Sequence, residues 1–304
     1  MRRAQRGVAA VTAILIVAVA ASAAALMLSQ QAAMLDQTML VASRAQADEY
    51  AAAGLDWAQG VLMQDGRSGT VDHLEEGWAR PIVGMPVERA VVAGSISDEQ
   101  GKFNLNNVVQ QAQRSEPDVK LLRQLLASLD LPPDLAEAVV DWIDGGDDLA
   151  SGAGAESGYY LSMPRPYRAA NAPMVSVDEL YRVRGFDAKA VERLRPHVTA
   201  IPKRTTINAN TASETLLAAA FGAPREKVAA LVEGRRKTPF ANFEAFRQAY
   251  QQHGLATDNP FDVKSDWFMV RVQVTQDDVQ VGTEALASRG QGGATAIIWR
   301  RPRY

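Results

Sequence analysis

Twenty-eight consecutive residues, Val8 to Leu35, carry no charge, and they follow directly on Arg2, Arg3, Arg6 and Gly7. A stretch of Val, Ala, Ile and Leu this long crosses a bilayer as one helix, for which roughly 20 apolar residues suffice. The arginines before it stay on the cytoplasmic side by the positive-inside rule. Nearly all of the remaining chain is then expected beyond the membrane.

Three readings of this start compete. An ordinary secretory signal has an apolar region of about 7–15 residues and a small-residue cleavage site at its far end. Residues 21–25 offer such a site, but the apolar region is too long. An uncleaved anchor fits the length. The third reading accounts for the short basic leader ending in glycine, which resembles the leaders of type IV prepilins and pseudopilins. Those are cut on the cytoplasmic face after the glycine. The resemblance implies cleavage between Gly7 and Val8, a retained apolar helix, and N-methylation of Val8.

A chain of 304 residues holds one membrane helix plus one large or two small domains. The net charge of −3 gives no global basic field for nucleic acid. Without cysteine, an exported domain has no disulfides, no thiolate chemistry and no thiolate metal site. The three histidines, His73, His197 and His253, lie far apart, which opposes a zinc enzyme. There is no Gly-x-Ser-x-Gly elbow, His-Glu-x-x-His motif or phosphate-cradling loop.

No proline occurs between Gln30 and Met63, and Met34, Leu35, Met39, Leu55, Val61 and Leu62 recur at helical spacing. This predicts one long helix from Val8 to about Met63, ending in the turn cluster Gln64 to Gly69. Val87 to Ile96 reads as a strand, 98–101 as a turn, and Lys102 to Asn106 as a returning strand. Helices are expected over Val119 to Ser128, Leu135 to Ile143, Ser176 to Val183, Ala188 to Leu194, Thr211 to Phe221, Arg225 to Val232 and Phe243 to Gln251. Trp267 to Thr275, Val279 to Ala287 and Ala294 to Arg300 alternate as three antiparallel strands. The order predicts an α+β fold. A long N-terminal helix packs on an antiparallel sheet, with an all-helical domain inserted between strands.

Several stretches together resemble the K class of minor pseudopilins of bacterial type II secretion systems. They are Arg6-Gly7-Val8-Ala9, the run Asp98-Glu99-Gln100-Gly101-Lys102-Phe103-Asn104-Leu105-Asn106, Asp141-Trp142-Ile143-Asp144, Gly154-Ala155-Glu156, and Pro166-Tyr167-Arg168-Ala169-Ala170-Asn171 with Ser176-Val177-Asp178-Glu179-Leu180. The resemblance covers essentially the whole chain. It implies a leader at 1–7, a transmembrane helix at 8–30, a pseudopilin core at 31–107 and 262–304, and an inserted helical domain at 108–261. It also implies a single-pass inner-membrane protein with a periplasmic C-terminal domain, processed by a prepilin peptidase. Such a subunit caps the pseudopilus tip and helps to initiate it, with the I and J classes of minor pseudopilin as partners. Ala42, Ala45, Tyr50, Leu55 and Trp57 are candidate helix contacts, with Leu55 and Trp57 expected to pack on the chain's own sheet instead.

Most relatives of this kind carry glutamate at mature position five, where this chain has Thr12. A carboxylate there costs on the order of 3 kcal/mol in the bilayer and is retained to pair with a neighbour's terminal ammonium. Thr12 makes no such pair, which suits a tip subunit and matches the K class. Taken alone, Thr12 also fits a small polar residue bonding its own helix backbone.

Asp141, Asp144, Asp147, Asp148 and Glu156 crowd a glycine-rich stretch. Calcium takes six to eight oxygens from such loops, but a solvated acidic loop fits the same residues, and the spacing is not that of an EF-hand. The resemblance implies calcium, with Asp144, Asp147, Asp148 and Glu156 as ligands. Asp141 is read as capping or facing its helix.

Two other functions remain open from the residues. Ile207 to Arg235, with its turn Phe221-Gly222-Ala223-Pro224, is similar to helix-hairpin-helix modules that hold DNA phosphates on backbone amides. Arg235, Arg236 and Lys237 would add phosphate contacts. Competence DNA receptors join such a module to a membrane anchor. Pro224, however, has no amide proton to give, and the resemblance implies no nucleic acid. Asp141 and Asp144 also pose as paired carboxylates for glycoside hydrolysis, with Trp142, Tyr159 and Tyr160 as cleft walls.

Overall fold

A computed structural model describes residues 2–146 and 152–303. Along the chain run α1 (Arg2–Ser68), β1 (Ile82–Val87), β2 (Ala90–Asp98), β3 (Phe103–Asn104), β4 (Val109–Gln110), β5 (Gln113–Arg114), α2 (Glu116–Ser128), α3 (Leu135–Ile143), α4 (Ser157–Leu161) and α5 (Ala188–Leu194). Then follow β6 (Val198–Thr199), β7 (Ile207–Asn208), α6 (Glu214–Phe221), α7 (Arg225–Lys237), α8 (Phe243–Gln252), β8 (Phe261–Asp262), β9 (Trp267–Gln276), β10 (Val279–Arg289) and β11 (Thr295–Arg303).

The apolar half of α1 is exposed along its length. Val8, Ile14, Val19, Leu28 and Leu35 are each at least 60% exposed. Burial begins only at Ala47 and continues through Ala51, Leu55, Ala58 and Leu62, a spacing of three and four that gives one inward stripe. The stripe lies on the five-stranded sheet β1-β2-β9-β10-β11, whose neighbours all pair antiparallel. Its apolar partners are chiefly β-branched, among them Val92, Val270, Val272 and Val274. Small residues set the spacing: a Cβ on Gly54 would sit 2.9 Å from the Val272 side chain.

The helix does not stop at Gln64 but runs to Ser68. Gly66 is there for close approach and not for a turn, because a Cβ on it would meet Arg289 at 2.8 Å and the Gly293 backbone at 2.9 Å. The single strand expected over 87–96 is instead a hairpin, β1 to β2, with Val87 opposite Ala90. Its two-residue turn is built on Glu88 at φ 51 and carries none of the Asn-Gly chemistry that marks such turns.

The returning strand expected over 102–106 does not form. Phe103 and Asn104 pair in parallel with Val198 and Thr199, and Leu105–Val108 turns as a 3-10 helix. The alternation there is real but not two-faced: Phe103, Leu105 and Val108 enter a helical core, while Asn104, Asn106 and Asn107 are equally buried. The asparagines donate to the carbonyls of Ile201, Lys203, Met174 and Thr205.

The chain thus leaves the sheet after Asp98 and returns at Trp267, directly beside its point of departure, since Asp98 lies opposite Phe268. Everything between is the insert, packed round Leu121, Leu122, Leu125, Leu126, Tyr160 and Phe246. A small apolar patch, Ile201 against Trp267, Met269 and Leu286, lies between the insert and the outer face of the sheet, and Arg301 on β11 adds an ion pair to Asp178.

Candidate assembly helix, acidic loop and domain junction

On α1, the Thr12 hydroxyl donates to the carbonyls of Ala9 (2.9 Å) and Val8 (3.1 Å). Its polarity is absorbed within its own turn, so nothing at this depth is left to seek a partner's charge.

Higher up, α1 covers only the middle of the sheet and leaves a groove on each flank. One, of ≈ 180 Å³, is apolar and lined by Tyr50, Gly54, Trp57, Met85, Val92 and Val272. Trp57 is 54% exposed and Met85 45%. The other, of ≈ 440 Å³, is polar, with Arg44, Asp48, Arg300 and Arg303 around it. Leu55 packs inward as expected, whereas Trp57 does not. The Trp57 indole stands largely in water at the edge of the apolar groove.

The acidic loop begins at the C-terminus of α3. Asp141 is fully buried; Asp144 caps the helix, its N–H donating to the carbonyl of Val140. Glu156, 6% exposed, precedes α4. Ligand oxygens of Asp141, Asp144 and Glu156 lie within 4.8 Å of one another. Burial raises the Asp144 carboxyl above its ordinary value, since charged forms are disfavoured away from water. Gly154 has no room for any side chain, because its Cβ would lie 1.8 Å from Asp141 Oδ2. Asp147 and Asp148 lie outside the described residues.

Asn171 is bound to the end of α3 beside the cluster, and nothing in the sequence marked it beyond its place in a motif. Held at φ 45, its N–H donates to the Trp142 carbonyl and its Nδ2 to that of Gly146. Its buried Oδ1 accepts no hydrogen bond from the described residues. Three carboxylates, with no nitrogen or sulfur donor grouped with them among the described residues, make a hard oxygen set that fits calcium. Glu179 ties the neighbouring stretch in, accepting from Trp142 Nε1 and from the N–H groups of Val175 and Ser176. Three stretches far apart in sequence therefore converge on one place.

This geometry does not suit hydrolysis of a sugar. Asp141 has no exposure, and Trp142 and Tyr160 are core residues stacked edge to face at 5.3 Å. Nor does the α6–α7 hairpin present phosphate contacts as its cations suggested. Arg235 is buried and donates to the carbonyls of Ala209 and Ala212, while Arg236 and Lys237 pair with Glu233.

The junction is the other polar concentration. Asp98 accepts from the Gln100 N–H, Asn208 Nδ2, Thr211 Oγ1 and Ser265 Oγ. Burial still pushes its carboxyl up to about 6. Beside it, Arg289 is 3% exposed and pairs with Asp65 and Asp72. Asp65, Asp72 and Glu76 also bring carboxylates close together, but here a guanidinium already supplies the positive charge. The run from Asp98 to Asn106 is thus a clamp between sheet and insert.

Comparison with known proteins agrees with this architecture. Models of "Type II secretion system (T2SS), protein K" match residues 101–203 and 207–270. The type II secretion system protein K of Pseudomonas aeruginosa is 33% identical over 313 residues, covering 99% of this chain and 93% of that protein. That of Pectobacterium carotovorum is 33% identical over 302 residues, covering 91% and 90%. Among solved structures, a chain of the GspK-GspI-GspJ complex from the enterotoxigenic Escherichia coli type 2 secretion system superposes with a TM-score of 0.78 at 26% identity, over 88% of this chain and 99% of that one. The long exposed helix, the antiparallel sheet and the helical insert are those of a secretion pseudopilin, and this chain belongs to the type II secretion protein K family of minor pseudopilins.

Proposed function

We propose that this subunit caps, and helps to initiate, the pseudopilus of a type II secretion system. The I and J classes of minor pseudopilin stack beside its α1. The observation that carries the reading is the contrast along one helix, bare and apolar from Val8 to Leu35, then from Ala47 seated on a sheet that leaves both flanks open. The related solved complex, of GspK with GspI and GspJ, supports the choice of partners. Thr12 in place of an acid, with its hydroxyl satisfied locally, supports a subunit with nothing docked above it. The insert, hung at the far end of the sheet, adds bulk that blocks further addition.

In this reading the chain is a prepilin-peptidase substrate, cut between Gly7 and Val8 and methylated on Val8. It spans the inner membrane once, with sheet and insert in the periplasm. It is a structural component and not an enzyme. Asp144 and Glu156, with Asp147 and Asp148, would hold calcium, and Asp141 would offer a further oxygen. A bound cation there would supply positive charge to the clustered carboxylates.

Mass spectrometry of the protein from membranes, with and without the peptidase, tests the core of the proposal. A mature N-terminus at Val8 that disappears without the peptidase is expected. Cleavage near Ala25, or none, overturns it. Titration calorimetry tests the ion separately: calcium uptake by the native chain should be lost in Asp144→Asn.

A further inference from the structure

The groove between α1 and β11 carries a charge that nothing beside it balances. Arg44, Arg300 and Arg303 stand exposed around it, and Asp48 is the one carboxylate on its wall among the described residues. None of the three guanidiniums has a described carboxylate within 4.0 Å. Arg301, on the same rim, is already paired with Glu284 and Asp178. The floor is built of short side chains, Ala51, Ala52 and Thr283, so a second backbone can come close.

Shape and position narrow the occupant. The groove follows α1 from Arg44 to Leu55, about 16 Å or three helical turns. An added strand is disfavoured: β11 is bulged at Ile298, which has no partner on β10, and Pro302 has no N–H to donate. Lipid headgroups lie too far away. Leu55 is about 30 Å along α1 from Leu35, whereas a headgroup layer is about 5–8 Å deep. A helix running beside α1 remains, and α1 itself shows what a helix of this kind carries at this height. Between Leu35 and Leu62 it has Asp36, Asp48, Glu49 and Asp56 against one cation, Arg44.

We infer that this flank seats the acidic helix of one sister minor pseudopilin, and that charge selects which sister it takes. The inference rests on the reading that sisters stack beside α1, and it explains why the two flanks are not interchangeable. The opposite groove, with Tyr50, Trp57 and Met85, offers apolar surface instead. Charged rims govern encounter rate, salt dependence and the rejection of wrong partners more than raw affinity.

The test uses the full chain in zwitterionic nanodiscs and the purified full-length I- and J-class subunits of the same system, each titrated by fluorescence. One of the two should bind about tenfold or more weaker when salt is raised from about 50 to 500 mM. The triple variant Arg44→Gln, Arg300→Gln, Arg303→Gln should lose about tenfold or more of that sister's affinity in low salt and most of its salt dependence. Its melting temperature should be unchanged, because the three side chains have no described acid to leave behind. Trp57→Ala should keep the salt dependence intact.

Native affinity of the triple variant for both sisters, or binding that ignores salt, overturns the inference and leaves stacking to the Trp57 flank. Failure of both sisters to bind the native chain at any salt brings down the stacking reading, and the inference with it. Self-association of the native chain that the triple variant loses would give the flank to a second copy and overturn the sister assignment.

Discussion

The sheet half and the inserted half solve the same packing problem in opposite ways. The sheet is covered by one helical stripe of Ala47, Ala51, Leu55, Ala58 and Leu62, and its two flanking grooves stay open. The insert encloses long side chains, Leu121, Leu125, Tyr160 and Phe246 among them, and turns its buried asparagines and Arg235 on its own backbone. An open half has surface left for other subunits, while a closed half contributes shape. In the proposed function assembly falls to α1 and bulk to the insert, and the contrast can be broken experimentally at each end.

The largest effect belongs to the seam that joins the halves. Arg289 holds Asp65 at the end of α1 and Asp72 in the next segment, donates to the Ser265 carbonyl, and lies 4.7 Å over Phe268. Arg289→Met leaves two carboxylates facing each other without their cation. Removing one partner of a buried pair costs about 3–5 kcal/mol. Chemical denaturation should show that loss, and both halves should be affected, because the residue belongs to neither alone. A loss confined to the sheet would mean that the insert holds its position without this clamp.

The next effect should stay inside the insert. Glu137, buried on α3, receives two bonds from Arg114 and one from Arg123. Those guanidiniums, Arg114 first, hold its carboxyl below the ordinary value. Glu137→Gln should cost about 3 kcal/mol, near the lower end for a broken buried pair, because Arg123 is 43% exposed. The sign with pH follows. A depressed carboxyl contributes its full stabilisation above its unfolded value of 4.5 and loses it as the pH falls through its native value. The native insert should therefore weaken in acid, and Glu137→Gln should flatten that dependence. Asp98 at the junction runs the other way: raised to about 6, it favours the fold most at low pH and loses that contribution as the pH rises through 6.

The same contrast explains what could be read from the amino-acid order. The stripe on α1 and the alternating strands β9, β10 and β11 follow simple periods, because each has one wet face and one dry face. Most of the insert's helices were legible too, although the one expected over Ser176 to Val183 is a 3-10 helix at Val177–Arg182 and α4 was not expected. Phe103 to Asn107 was not, since both of its faces are buried and its asparagines serve distant carbonyls. The β1–β2 turn was hidden because Glu88 takes a left-handed conformation more often given to Gly or Asn. Of the acidic loop, the crowding of carboxylates was visible, but not the inward aim of Asp141 or the arrival of Asn171 from thirty residues away. Those depend on Gly154, whose missing side chain makes room for Asp141, and no local pattern announces that need. Trp57 was misjudged for a related reason: helical spacing gives an angle around α1, and at that angle the indole stands at the edge of the groove between α1 and β1 instead of packing into the sheet.

Trp57 also sets the smallest effect on stability and the sharpest test of the open half. Its neighbour Leu55 is 4% exposed, so Leu55→Ala should cost about 2–5 kcal/mol by leaving a cavity under the helix. Trp57→Ala removes a larger side chain, yet one that is more than half in water. Its effect on folding should stay within about 0.5 kcal/mol, as for ordinary surface changes. If the apolar flank is where a sister helix lies, the same variant should weaken association with the I and J classes by about 2 kcal/mol or more, as exposed tryptophans at interface centres do. Sedimentation of the mixed subunits reads one quantity and thermal melting the other. Trp57→Ala with normal assembly would move the contact to the basic flank, where Arg44→Glu and Arg303→Glu become the decisive variants.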